Sequence, residues 1–268
     1  MKMKKWLKIL GVFALFLALT GCHKSKENVI KVGVVGEKNN EWEYLQKELK
    51  EKEGLQIELV KFTDYRAPIE ALEQGEIDLH ACLTEIYMDQ INKESGRHNT
   101  TIGYTTLNPM GIFSKKISSI DALKDGGLVA IPNDVSNESR ALLLLQEAGL
   151  IQLDKSKSLL PTVHDITENP KNLQFKVLES NQTARAMDEV DISLINNDMA
   201  ANAGLIPTKD AIFIEKKSDS SKPYWNVIAA DVKNKDKETY KTVVKYYQTE
   251  KVAQLIDEKS KGSSIPIW

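Results

Sequence analysis

Val29-Ile30-Lys31-Val32-Gly33-Val34-Val35-Gly36 decides the fold: a β-branched run closed by glycine, followed over Glu41 to Glu53 by a charged amphipathic stretch that stops at Gly54. That is a strand and then a helix. The pattern repeats at Gln56 to Phe62, where apolar and polar residues alternate, with Thr63-Asp64 as N-cap of a helix that carries Pro68 in its first turn and ends at Gly75. A third strand at Ile77 to Leu83 leads into a helix over Tyr87 to Lys93. This β-α-β-α order predicts a mainly parallel sheet with helices on both faces.

Toward the C-terminus the alternation breaks at Thr105-Thr106-Leu107-Asn108-Pro109-Met110-Gly111-Ile112-Phe113, an extended segment that reads as a crossing to a second lobe. A new cycle follows. It has a short helix at Ser119 to Lys124, a strand at Leu128 to Pro132, and a helix from Glu138 to Ala148 closed by Gly149. Further strands are expected at Leu173 to Leu178, Ile192 to Ile195 and Ala211 to Ile214. Trp225 to Val232 reads as the return crossover, and Glu238 to Lys259 as one long helix packing back on the first lobe. The expected domains are lobe I at residues 29–107 plus 226–268 and lobe II at residues 108–225. Two doubly wound lobes joined by two crossover strands form a hinge-closing binding protein, with its ligand at the carboxyl ends of the strands between them.

Toward the N-terminus, basic residues run into Ile9-Leu10-Gly11-Val12-Phe13-Ala14-Leu15-Phe16-Leu17-Ala18, the order of a secretory signal and too short for a comfortable membrane span. Leu19-Thr20-Gly21-Cys22 resembles a bacterial lipobox, so residues 1–21 are expected to be removed and Cys22 lipidated. An ordinary signal followed by a chance cysteine is the plainer reading. Residues 22–28 are a polar tether, and two or more acyl chains anchor stably where one is marginal. The expected location is the extracytoplasmic face of a cell membrane.

The 268 residues hold 36 Lys+Arg, 38 Asp+Glu and 41% hydrophobic residues, which excludes collagen, coiled coil and wholesale disorder. Lys2, Lys4, Lys5 and Lys8 are the only charges in the leader, so its loss moves the formal charge from −2 to −6. An acidic chain offers no basic footprint for nucleic acid. With Cys22 lipidated, Cys82 is a lone thiol, and no intrachain disulfide can form.

The sharpest local feature is Ala130-Ile131-Pro132-Asn133-Asp134-Val135-Ser136-Asn137-Glu138-Ser139-Arg140, a strand emptying into a polar loop in which Ser136 or Asn137 can cap the next helix. Arg140 then falls in the first turn, where a guanidinium opposes the helix dipole unless it holds an acid. Its bidentate fork matches the carboxylate of an amino acid, while a surface ion pair with Glu138 or Asp134 is the plainer account. Asn196 after the strand Asp191 to Ile195, and Asn226 before Val227-Ile228-Ala229-Ala230, can give an amide donor to a carboxylate and an acceptor to an ammonium, or merely form turns. Strand alternation places His80, Cys82 and Thr84 on one face, which admits a soft metal ion, against a buried structural Cys82. The chain has no Gly-x-Ser-x-Gly elbow, His-Glu-x-x-His pair or phosphate loop, and its histidines are scattered at His23, His80, His98 and His164. No enzyme activity and no cofactor are expected.

Lys31-Val32-Gly33, Phe62-Thr63-Asp64-Tyr65, Pro109-Met110-Gly111, Ile131-Pro132-Asn133-Asp134, Arg140-Ala141-Leu142-Leu143-Leu144, Asp165-Ile166-Thr167-Glu168-Asn169-Pro170-Lys171 and Asn226-Val227-Ile228 together resemble the NlpA family of methionine-binding lipoproteins. The resemblance runs in order through nearly the whole mature chain. It implies an α/β, two-lobed, periplasmic-binding-protein-like fold of type II, acting as the substrate-binding subunit of an ABC importer with permease and ATPase partners. Arg140, Asn196 and Asn226 would grip the ligand's backbone, and Tyr65 would wall its side-chain pocket, with Cys82, Thr84 and Tyr87 completing the expected set. Where the family shows a tyrosine-phenylalanine-glutamine-histidine run, this chain has Leu79 to Thr84, so that Cys82 replaces the phenylalanine and Thr84 the histidine. Losing an aromatic wall weakens the grip on a methionine side chain, whose full burial contributes about 1.5–3 kcal/mol. A different amino acid, a short peptide, a metal ion, or a surface interaction role without transport remain the alternatives.

Overall fold

A computed structural model describes residues 29–156 and 160–268; the leader at 1–21, the tether at 22–28 and Cys22 lie outside the described residues. The first cycle comprises β1 (Val29–Val35), α1 (Asn40–Glu53), β2 (Gln56–Phe62), α2 (Ala67–Gln74), β3 (Leu79–Thr84), α3 (Glu85–Ser95) and β4 (Asn99–Tyr104). Chain punctuation stops these helices where the sequence places it, with Gly54 and Gly75 left-handed at φ 65° and 71° after α1 and α2. Asp64 Oδ1 accepts from the backbone of Arg66 and Ala67, both at 2.8 Å, and so fixes the entry to α2. The crossing follows as β5 (Thr106–Leu107) and β6 (Gly111–Phe113).

The second cycle runs through β7 (Leu128–Pro132), α4 (Val135–Glu147), β8 (Gln152–Leu153), β9 (Ile166–Glu168), β10 (Gln174–Leu178), α5 (Thr183–Ala186), β11 (Ile192–Ile195), α6 (Asn197–Asn202), α7 (Pro207–Asp210) and β12 (Phe213–Ile214). The chain returns through β13 (Asn226–Asp231), α8 (Glu238–Tyr247), α9 (Glu250–Ser260) and β14 (Ile265–Pro266). The single helix expected over Glu238 to Lys259 is two helices. Thr249 is extended at φ −127° and its hydroxyl accepts from Val252 N at 3.4 Å, so a capping side chain ends one helix and starts the next.

Two five-stranded sheets result, in the orders β2-β1-β3-β13-β4 and β10-β7-β11-β6-β12. Both are mixed rather than mainly parallel. β1 lies parallel to β2 and β3, but β13 is antiparallel to β3 and β4, and β6 is antiparallel to β11 and β12. Reversal occurs at the strands that cross between sheets, since a chain entering from the other lobe arrives at the carboxyl ends of the parallel strands. β13 is therefore a central strand of the first sheet and not only a connection, and β4 is a sheet strand that the sequence reading did not separate.

Each sheet carries its own core. Trp42, Leu45 and Leu49 of α1, with Tyr240, Val243, Val252 and Ile256 of α8 and α9, cover one face of the first sheet, and Ile69 and Leu72 of α2 cover the other. Leu142 and Leu145 of α4 pack on Val129, Ile131 and Ile192 of the second. A further cluster joins Val35 at the tip of β1 to Phe113, Ile195 and Met199, so apolar contact runs between the two sheets' ends. Among the described residues no helix is long and apolar enough to cross a membrane.

Candidate functional site

The cleft between the sheet ends holds two contiguous spaces. A chamber of about 30 Å³ is lined by Tyr65, Cys82, Thr84, Tyr87, Arg140, Asn196 and Asn226, and also by Asn108, Asn137, Asn197 and Asp198. All seven residues singled out from sequence thus come together round one space. A cavity of about 670 Å³ lies beside it and shares Cys82, Asn108, Asn197, Asp198 and Asn226 as walls.

Arg140 sits in the second turn of α4, not the first, because Asp134 is the cap rather than Ser136 or Asn137: its carboxylate accepts from Asn137 N at 3.0 Å. The dipole penalty fades beyond the first turn. The guanidinium is 4% exposed and its acid partner comes from within the chain. Nε donates to Glu215 Oε2 at 3.1 Å, and Nη2 donates to the same oxygen at 2.6 Å and to the Asn108 carbonyl at 2.9 Å. The expected surface pair with Glu138 or Asp134 is not formed, and neither is a free bidentate fork. Glu215 occupies one edge of the guanidinium, and only Nη1 has no protein acceptor among the described residues. The plane also stacks 4.9 Å from the Tyr224 ring centroid, and burial raises that tyrosine's pKa to about 12.

Glu215 does more than neutralise Arg140. Its Oε2 accepts from Met110 N at 3.0 Å, and its own N–H donates to the Met110 carbonyl at 3.0 Å. The ion pair therefore ties the first crossing segment, at Met110, and the chain just past β12 to α4.

A second chain of bonds sets the amides. Asp134 accepts Asn137 Nδ2 at 2.9 and 3.0 Å, and Asn137 Oδ1 then accepts Asn196 Nδ2 at 2.7 Å. The carboxylate can only accept, so it fixes the orientation of both amides in turn. Among the described residues Asn196 Oδ1 is left buried with no partner, as is Asn108 Oδ1. An unpaired buried acceptor is costly and native structures rarely leave one without use. Asn226, 6% exposed, lines the same chamber at the first residue of β13 and pairs in register with Thr84.

The His80, Cys82 and Thr84 face does not form as expected. Between Ala229↔His80 and Val227↔Leu83 the chain advances two residues along β13 but three along β3, so a bulge inserts one residue near Ala81-Cys82 and changes the phase of the strand. His80 turns into the core at 0% exposure, where its Nδ1 accepts the Cys82 N–H at 3.1 Å and burial lowers its pKa to about 3. Cys82 and Thr84 stay on the cleft. Among the described residues no group of three or more His, Cys, Asp or Glu side chains could hold a metal ion. The Cys82 thiol donates to Asp198 Oδ2 at 3.4 Å, and burial and that carboxylate both raise its pKa.

Four wall residues escaped the sequence reading as ligand contacts: Asn108, Asn137, Asn197 and Asp198. The run Asn196-Asn197-Asp198 directly after a buried strand was the available signal for two of them. Asn197 is spent on structure, donating to the Ser263 carbonyl at 3.0 Å.

The family model described as NlpA lipoprotein matches residues 30–268. The D-methionine-binding lipoprotein MetQ of Salmonella typhi is 45% identical over 257 residues, 94% of each chain. A nutrient-binding protein from Burkholderia cenocepacia, solved bound to methionine, is similar with a TM-score of 0.85 at 40% identity, covering 89% of this chain and 100% of that one. The substrate-binding protein of a methionine transporter from Streptococcus pneumoniae gives 0.84 at 36% identity, covering 90% and 96%.

Proposed function

This chain belongs to the NlpA lipoprotein family, and we propose on that premise that it is the lipid-anchored substrate-binding subunit of an ABC importer, capturing methionine or a closely related amino acid. Its relatives carry names of binding proteins and a transporter component. One observation supports the reading most strongly: among the described residues Arg140 Nη1 has no protein acceptor and the buried Asn196 Oδ1 has no donor, and both residues line the same chamber. A donor for a carboxylate and an acceptor for an ammonium, held apart by folded protein, match an α-amino acid head. Asn226 stands beside them, Tyr65 and Tyr87 supply aromatic walls, and Cys82 and Thr84 face the side chain.

The small chamber is too confined for a whole amino acid, so the ligand's side chain extends past Cys82 or the lobes part to admit it. Residues 29–107 with 226–268 and residues 108–225 are the two bodies that would move. Lipidation at Cys22 and an extracytoplasmic face complete the proposal, with permease and ATPase subunits receiving the released ligand. Intact-mass measurement of membrane-extracted chain against Cys22→Ala tests the anchor.

Calorimetry on the full-length chain in detergent with L- and D-methionine tests the ligand. One-to-one binding that Asn196→Ala weakens is expected, with stability raised by about 2.7 kcal/mol at a hundred times the dissociation constant. Equal affinity in Asn196→Ala removes the head-group assignment.

A further inference from the structure

Apart from the crossing segments, the C-terminal end of the chain also bridges the two halves of the molecule. It leaves α9 through Lys261, at φ 53°, and Gly262, at φ 77°, two successive left-handed residues. Lys261 is one of two non-glycine residues with positive φ among the described residues, and a side chain kept in that region marks a backbone imposed by its surroundings. The turn presents two carbonyls to the second lobe. Thr208 Oγ1 of α7 donates to the Lys261 carbonyl at 3.2 Å, and Asn197 Nδ2 of α6 donates to the Ser263 carbonyl at 3.0 Å. Ser263 Oγ adds a longer bond to Asn197 Oδ1 at 3.5 Å.

Past this turn the chain is fastened beside the first sheet. Ile265 and Pro266 pair with Leu107 and Thr106, Ile267 N donates to the Thr105 carbonyl at 3.2 Å, and the Trp268 ring meets that of Tyr247 with centroids 5.6 Å apart. Asn197 and Thr208, by contrast, follow β11 of the second sheet. Their two bonds differ in kind. Asn197 and Ser263 are 4% and 2% exposed, so their pair parts only when water enters to replace it, whereas Thr208 is open to solvent. Asn197 also follows directly on Asn196, which lines the ligand chamber with its Oδ1 unpaired. One turn of chain therefore serves ligand and C-terminal segment together.

We propose that residues 261–268 are a closure strap, clasped by Asn197 and Thr208, which retains ligand by slowing the parting of the lobes. The inference rests on the binding-protein reading above and adds a determinant of release. Breaking the clasp belongs to opening, so it acts on the ligand's exit and not on its arrival at an open cleft.

The test follows release of radiolabelled L-methionine from the full-length chain in detergent, chased by unlabelled methionine. Release is expected to be about tenfold faster in Asn197→Ala and about two- to threefold faster in Thr208→Val, with association within about twofold of the parent. Thr208 is outside the walls of both spaces, so its variant cannot act by touching ligand, and it carries the test if Asn197→Ala fails to fold in urea unfolding. Hydrogen exchange read by mass spectrometry should show peptide 261–268 protected by methionine in the parent and less so in both variants, a ligand-dependent change that a contact serving only stability would not give. Unchanged release in Thr208→Val, or exchange of 261–268 indifferent to methionine in the parent, overturns the inference alone. So does a loss in Asn197→Ala carried wholly by slower association. Absence of methionine binding by the parent overturns the ligand reading with it.

Discussion

At the head-group end of the cleft a chain of hydrogen bonds runs from side chain to side chain: Arg140 to Glu215 and the Asn108 carbonyl, Asn196 to Asn137, and Asn137 to Asp134. At the side-chain end, by contrast, Asp198 has one weak thiol donor and a large cavity in front of it. The first end is pre-organised, and under the proposed function the guanidinium nitrogen Nη1 and the oxygen Asn196 Oδ1 that it leaves unsatisfied would take a group common to all amino acids. The second end is sparsely bonded. A binding site can thus hold its recognition of the backbone fixed while its side-chain preference varies.

The contrast breaks most sharply at Arg140. Arg140→Ala leaves Glu215 buried without its partner, so stability is expected to fall by about 3–5 kcal/mol in addition to a loss of about 2–5 kcal/mol in ligand affinity. Urea unfolding and calorimetry measure the two separately. The double variant Arg140→Ala/Glu215→Ala should be more stable than the sum of the single changes implies, because neither charge is then orphaned. A strictly additive result would mean that the pair does not brace the first crossing segment against α4.

A smaller effect is expected from the relay. In Asp134→Asn the side chain can offer donors as well as an acceptor, so the orientation of Asn137, and through it Asn196 Oδ1, is no longer imposed. Affinity should drop by about 1–3 kcal/mol, the scale of a buried hydrogen bond left unmade, without any contact between residue 134 and the ligand. Calorimetry at matched folded fraction checks it, and unchanged affinity would show that Asn196 is positioned by packing alone.

The side-chain end has its own support in His80. Its pKa is lowered from 6.5 to about 3 by burial, so between those values the unfolded chain binds the extra proton and the folded chain does not. Stability contributed by the neutral imidazole is present above pH 6.5 and is lost as pH falls through that window, by at most about 1.4 kcal/mol per unit. His80→Asn keeps an acceptor for the Cys82 N–H and has nothing to titrate. Urea midpoints for the two forms should therefore converge as pH drops from 6.5 toward 4, and parallel curves would mean that His80 protonates within the folded protein.

Most of the architecture was legible in the sequence because glycine stops, caps and alternation are local. Gln56–Phe62, Leu128–Pro132 and Ile192–Ile195 occur at the boundaries the pattern gives, and the two-lobed α/β fold follows from their order. What was not legible depends on partners distant in sequence. The bulge that separates His80 from Cys82 exists only because β13 pairs with β3, and a strict period of two cannot foresee it. Glu215 is similarly unremarkable in sequence, 75 residues from the Arg140 it neutralises. The composition of the site was readable, whereas the wiring that leaves Nη1 and Asn196 Oδ1 unsatisfied was not.

The smallest expected effect bears on how closely the two lobes approach. Gly36, just past β1, has φ +83°, and a Cβ there would lie 2.6 Å from Asn202 Oδ1 beyond the cleft. Two costs in Gly36→Ala can be told apart. The left-handed backbone disfavours any side chain by about 1–2 kcal/mol whether the lobes are open or closed, and so lowers stability alone. The Asn202 contact exists only when the lobes approach, and the end of a flexible amide can swing away at little cost. Thermal melting should therefore show the loss in Gly36→Ala while calorimetry finds affinity within about threefold of the parent, a difference below 1 kcal/mol. A larger loss of affinity would place the Gly36–Asn202 approach among the contacts that closure requires, and would make the side-chain end of the cleft less tolerant of change than its sparse bonding implies.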